Sequence, residues 1–325
     1  MKSNKYEIDM CNGSIMDKLV SFALPLMLSG ILQLMFNAVD IIVVGRFSGS
    51  EALAAVGSTT ALINVFTNLF IGISLGANVL AARFFAAGRK EEMSETVHTS
   101  ITLALISGIL MAFVGLVFSK GALELMGTPE DVIGLSTLYM RIYFMGMPFF
   151  MLYNYGAAIL RAVGDTKRPL YFLIIAGVIN AGLNMVLVIV FGLGVAGVGI
   201  ATVFSQMVSC VLVLTCLCRT EGSYKLSFSK LSMKGYYLKQ IFQVGIPAGI
   251  QSTVINFSNA LLQSSVNSFG STAMAGYTAA NNILGFLYVS INSVTQACMS
   301  FTSQNFGVGK YKRMDRVLID CMILS

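Results

Sequence analysis

One carboxylate stands inside a run built for lipid. Residues 19–45, LVSFALPLMLSGILQLMFNAVDIIVVG, carry a single acid, Asp40. Roughly 20 apolar residues, each rising 1.5 Å, are enough to cross a bilayer. Ser29, Gln33, Asn37 and Asp40 fall at i, i+4, i+8 and i+11, which places them on one helical face. Lipid cannot satisfy such a stripe, so the face should look into a protein or water-filled interior. A charge at the bilayer centre costs about 2.5–3.5 kcal/mol. Asp40 lies about five residues, or roughly 7 Å, from the outer end of its run. Two readings therefore stand side by side. The acid either reaches toward the interface, held by neighbouring amides, or it is a switch. Capture of a proton, or of Na⁺ with amide carbonyls, would cancel its charge and permit the helices to repack. Pro25, which lacks an amide hydrogen, should kink the same helix.

Other polar groups must share that interior. Asn180 and Asn184 are four residues apart in the apolar run 170–191, where they serve as helix–helix glue or as ligands. Tyr139 and Asn154 lie in the run 133–160, and Tyr139 could equally belong to an interfacial aromatic belt. Thr60, Asn64, Thr67, Ser74 and Asn78 mark one face of the run 52–82. His98, the single histidine, reads as an interfacial side chain and not a proton relay. The 19 Met and 22 Phe residues mostly pack or face lipid, with some left to form an adaptable wall for flat hydrophobic cations. No P-loop, HExxH or Cys/His cluster is present, so the chain reads as no enzyme. No cofactor is implied beyond Na⁺ or H⁺ as a coupling ion. Six scattered cysteines read as reduced structural thiols.

The elements that position these groups are helices in a membrane. Of 325 residues, 56% are hydrophobic and 11% charged, where a soluble domain has roughly a quarter charged. The chain is expected to be an all-α polytopic membrane protein of about eight full spans and a ninth stub, partnered by the lipid bilayer and not by nucleic acid. Of 21 Lys and Arg residues, all but Arg46, Lys120 and Arg141 fall in alternate connections. The positive-inside rule then puts the N-terminus in the cytoplasm and the chain in the cell membrane. Residues 1–218 should form one lobe of six spans, 219–239 a basic cytoplasmic linker, and 240–325 part of a second lobe. An internal repeat supports the division. Pro25 pairs with Pro247 and Asn37 with Asn259 at an offset of 222; Gly88 pairs with Gly309 and Met93 with Met314 at 221. Six intervening spans give both copies the same direction, a parallel repeat of the kind common in alternating-access transporters. The second copy has a leucine, Leu262, opposite Asp40, yet keeps a polar stripe in Ser252, Asn256, Asn259, Gln263 and Asn267. Both halves are therefore expected to line one cavity.

The Pro25–Asp40 helix with VGRFSGSEALAAVG behind it, LRAVGDTKRP, GVAGVGIATVFSQ and VGIPAGIQ resemble the multidrug and toxic compound extrusion (MATE) transporters. The likeness covers essentially the whole chain. It implies two six-helix lobes of which this chain carries the first, two helices of the second and the start of a third, as in a C-terminally truncated protein. It also implies a cation-coupled antiporter that exports organic, often cationic, lipophilic compounds, working as a monomer. Similarity to the DinF-like branch places a coupling group at Asp40, Asn180, Asn184 and Thr202. A cavity is implied around Gln33, Asn37, Tyr139 and Asn154, with Asn256 and Asn259 from the second half. That branch typically has a second carboxylate where this chain has Asn184. The alternative is a lipid-linked saccharide flippase of the same superfamily, which would be expected to line its cavity with Arg and Lys; no span interior here has one.

Overall fold

The computed structural model of the chain describes residues 6–267 and 271–325. Among them, ten α-helices run in order. They are α1 (Met16–Phe47), α2 (Ser50–Ala86), α3 (Lys90–Leu125), α4 (Glu130–Met145), α5 (Met147–Ala162), α6 (Lys167–Asn184), α7 (Gly194–Arg219), α8 (Gly235–Asn267), α9 (Ser271–Gly307) and α10 (Tyr311–Leu324). α6 continues into a π-helical turn, Met185–Val190. Five of these segments are each long and apolar enough to cross a membrane: α1, α2, α3, α6 with its π extension, and α7. The chain is a multi-pass membrane protein.

The run 133–160, expected as one span, is two helices. Pro148 has no amide hydrogen to give, and its ring collides with the carbonyl four residues back. The chain breaks at Gly146, whose N–H turns to the Tyr143 carbonyl at 3.0 Å, and α5 restarts with Pro148 in its first turn. By contrast, α1 runs helically through Pro25. At the turn before α6, Asp165 caps the helix by accepting from the Arg168 N–H at 3.1 Å. The Arg168 guanidinium closes on the other oxygen of that carboxylate.

The repeat in the sequence is a repeat of structure. α2 and α9 are both 37 residues long. Each ends on the same turn, with Gly88 at φ 69° and Gly309 at φ 72°. The N–H of Arg89 reaches the Phe84 carbonyl at 3.1 Å, and that of Lys310 reaches Asn305 at 2.9 Å. Both glycines occupy the left-handed region, where a side chain would be strained.

α8 crosses α2 with almost nothing between the backbones. A Cβ added at Gly72 would lie 2.3 Å from the Gly249 Cα, and one at Gly245 would lie 2.5 Å from the Ile73 Cα. Farther along, the same test at Gly307 of α9 meets the Arg83 carbonyl oxygen at 2.3 Å. Small residues permit this approach, which dispersion and close backbone contact reward in a bilayer. Polar groups seal the seam. Asn78 donates to the Ala158 carbonyl at 2.8 Å and accepts from Ser300 at 3.0 Å. Gln304 donates to the Ala162 carbonyl at 2.7 Å.

His98 is buried, with Nδ1 2.7 Å from the Ser94 carbonyl, while Nε2 accepts the Ser227 N–H at 3.1 Å. It ties α3 to the 219–239 segment. All six cysteines are free thiols.

Gly72→Ala should lower stability by about 1–3 kcal/mol, the usual cost of overpacking a tight contact. Gly57, on the same helix with nothing within 4 Å of an added Cβ, provides the control. In thermal unfolding in detergent, Gly72→Ala should melt earlier than the parent, and Gly57→Ala should not.

Candidate functional site

A cavity of about 280 Å³ opens among α1, α2 and α4–α7. Its first wall is the α1 stripe, with Gln33, Asn37 and Asp40 facing inward beside Phe36. Ser29 does not join them, since its hydroxyl donates to the Pro25 carbonyl of its own helix at 2.8 Å. α2 adds Asn64, Thr67 and Asn68; Asn78, on the same helix, belongs to the seam with α5 and α9. α7 adds Thr202, Ser205, Gln206 and Ser209. Aromatic rings fill the space between: Phe36, Tyr143, Phe150 and Tyr153. Tyr153 also reaches across to α6, donating to the Pro169 carbonyl at 3.2 Å.

Asp40 sits at the end of this chamber, 8% exposed. The Asn184 amide donates to its carboxylate, and the same nitrogen lies 3.2 Å from the Asn180 Oδ1. Asn184 is fully buried, and its own Oδ1 has no hydrogen-bond partner. An orphaned buried carbonyl is a costly feature for a stable core to keep. The Nδ2 of the same side chain bridges the Asp40 carboxylate and the Asn180 Oδ1, two hard oxygen acceptors. The π turn that begins at Met185 follows Asn184 directly. Such turns gather at functional sites, where the backbone must depart from the regular ladder. Gly177 allows α6 to lie against α1, because a Cβ there would fall 1.7 Å from the Phe36 ring.

The structure thus brings together Asp40, Asn180, Asn184, Thr202, Gln33 and Asn37. It does not bring in the rest. Tyr139 is buried behind the cavity against Gly199, 6.1 Å ring to ring from Tyr143, which takes the lining position one turn later. Asn154 donates to the Phe150 carbonyl of its own helix at 2.8 Å. The break at Gly146 explains Asn154, since α5 restarts with its own phase and turns Phe150 and Tyr153 inward. Asn256 is likewise bonded to its own helix, through the Ser252 carbonyl at 2.9 Å, and Asn259 is exposed. Among the described residues, no lining residue comes from α8 or α9. Gln263 and Asn267 lie outside the described side chains. Sequence reasoning missed Tyr143, Gln206 and Ser209. For α7 a signal existed, because Thr202, Ser205, Gln206 and Ser209 recur at helical spacing.

Asn184→Ala would strip Asp40 of this donor and remove the link to Asn180. It should cost about 1–3 kcal/mol. Asn180→Ala should cost less, because it leaves the Asp40 bond intact. Thermal unfolding of the two variants in one detergent gives the order.

Comparison with known proteins places this architecture. A profile of the MatE family matches residues 25–186 and 247–325. The two stretches begin at Pro25 and Pro247, the first pair of the repeat. The probable multidrug resistance protein YoeA of Bacillus subtilis is 34% identical over 306 residues, 91% of this chain and 66% of that protein. An FAD transporter of Shewanella oneidensis is 24% identical, over 93% of this chain and 67% of its own length. The chain therefore spans about two thirds of the length of the curated relatives it matches. Among solved structures, a MOP superfamily transporter from Pyrococcus furiosus superposes with a TM-score of 0.92 at 24% identity, covering 100% of this chain and 72% of that one. With the profile covering most of its length, this chain belongs to the MatE family.

Proposed function

We propose that the protein is a cation-coupled antiporter that exports organic, often cationic, lipophilic compounds by alternating access. The observation that carries this reading is the placement of Asp40, bonded to Asn184, at the wall of an aromatic-lined cavity. In this reading Asp40, Asn180, Asn184 and Thr202 hold the coupling ion, Na⁺ or H⁺. The ion neutralises the carboxylate, and the helices that bond to it repack. Phe36, Tyr143, Phe150 and Tyr153 receive a flat cation, whose charge the ring faces attract. Asp40 adds a full negative charge whenever the coupling ion has left, so ion and cargo compete for one site. That competition is the physical content of antiport. With residues 1–218 and 240–325 as the two lobes and the N-terminus in the cytoplasm, the described lining of the cavity belongs to the first lobe.

Among the described residues, the cavity lining contains neither Lys nor Arg. This favours a cationic cargo over the phosphate of a lipid-linked saccharide, which would call for basic side chains. A relative named for FAD transport, at 24% identity, marks the breadth of cargo among similar proteins.

Asp40→Asn keeps the shape of the side chain and removes its charge. In an efflux-deficient host it should abolish resistance while leaving the amount of membrane-inserted protein unchanged. Ethidium efflux from vesicles, driven in turn by a sodium and a proton gradient, identifies the ion. Normal resistance in Asp40→Asn cells would remove Asp40 from the mechanism.

A further inference from the structure

The segment before α1 does not hang free. It crosses one face of the molecule as a strap, and nearly every residue of it is held by a different element. At its start, the Arg168 guanidinium lies 5.4 Å over the Tyr6 ring. Glu7 accepts from the Tyr224 hydroxyl of the 219–239 segment at 2.7 Å. Ile8 lies on the α5–α6 turn so closely that a Cβ at Gly164 would come within 2.6 Å of its backbone nitrogen and oxygen. Gly164 has φ 93°, a conformation that itself favours glycine. Asp9 then turns the chain by accepting from the N–H groups of Cys11 and Asn12, at 2.9 and 3.2 Å.

The far end of the strap is held by the second half. Met10 is fully buried in a small core with Phe22 of α1, Phe301 of α9, and Val317 and Cys321 of α10. Its carbonyl accepts from Asn305 at 3.2 Å and from Arg313 at 3.3 Å. Lys310 donates to the Cys11 carbonyl at 2.9 Å and to the Asn12 side chain at 2.8 Å. Arg313 also donates to the Asn12 carbonyl at 3.1 Å. Lys310 and Arg313 lie on the α9–α10 side, whereas Gly164 and Arg168 belong to the first half and Tyr224 to the 219–239 segment. Beneath the strap runs the seam closed directly by Gln304 and the Ala162 carbonyl.

A segment without regular structure seldom has so much of its backbone taken up by side chains, because its carbonyls are ordinarily left to water. We propose that residues 6–12 are a latch that bridges the α5–α6 turn and the α9–α10 pair and must let go before the two halves part at this face. The inference rests on the alternating-access reading above, since only a protein whose halves separate has use for a latch. It adds an asymmetry: closure of this face is held by a segment that has no equivalent on the opposite one among the described residues.

Spin labels at Lys167 and Lys312, both exposed, read the distance across the latch, with native cysteines replaced. A pair at Lys90 and Lys167 stays within the first half as control. Met10→Asp puts a charge into the small core, and Gly164→Val drives a side chain into Ile8 while keeping every strap residue. Each should enlarge the longer-distance population of the Lys167–Lys312 pair by about tenfold, the shift that losing one or two buried hydrogen bonds makes. The control pair should not change. Deletion of residues 2–12 should give the same broadening. An unchanged Lys167–Lys312 distribution in the deleted chain would overturn the latch. The labels read distance and not flux, so that result in cells that retain resistance would leave the antiport reading standing.

Discussion

A carboxylate inside a lipid-bound bundle must find its partners in the protein. Asp40 finds them in Asn184, 144 residues along the chain, and that bond requires α1 and α6 to lie side by side. Gly177 makes the approach possible by leaving room for the Phe36 ring. Once α1 and α6 are fixed, α7 follows as the antiparallel partner of α6 and brings Thr202 and Gln206 to the same chamber. Buried polar groups cost stability unless they are paired, so an arrangement that leaves the Asn184 Oδ1 orphaned has given up some stability at the site where ion chemistry is proposed.

A second constraint acts at the other end of the molecule. Where α2 meets α8, glycine lies against glycine, and side-chain carboxamides bond to carbonyls freed at the end of α5. Helices in lipid gain nothing from hiding apolar surface from one another, so close backbone approach and interhelical hydrogen bonds must hold the seam. Such a seam is all-or-none. Backbones at this distance cannot slide apart by fractions of an ångström without losing contact along the whole crossing. A boundary of this type suits two rigid bodies that are joined or separated, and suits gradual deformation poorly.

The helices themselves were legible because a lipid environment demands long apolar runs, and the runs around Asp40, Thr67 and Asn180 stand out by hydropathy alone. The repeat was legible too, down to the glycine turns at 88 and 309, because those turns need a residue that tolerates positive φ. The phase of α5 was not. Pro148 announces a break, but the rotation of the helix beyond it depends on how Gly146 packs beneath α7, where an added Cβ would lie 2.8 Å from Val203. Hence Phe150 and Tyr153, not Asn154, turn into the cavity, while on α4 the lining position falls to Tyr143, one turn beyond Tyr139. The glycines of the α2–α8 crossing are ordinary in sequence, and only the partner helix gives Gly72 and Gly249 their meaning. The strap was equally invisible, since nothing in KYEIDMCNGS marks Met10 as a core residue.

The two copies of the repeat keep one scaffold and differ in chemistry. Leu262 stands where Asp40 would be, and it is exposed where Asp40 is buried. The two helices share a proline, about two and a half turns into α1 and more than three turns into α8, yet one carries a carboxylate where the other carries a leucine. If neutralising Asp40 loosens its hold on Asn184, the strain falls on α1 and α6 of one half only. In the proposed mechanism the second half then moves as a body against the glycine seam, and a carboxylate on α1 acts on an interface that both halves share.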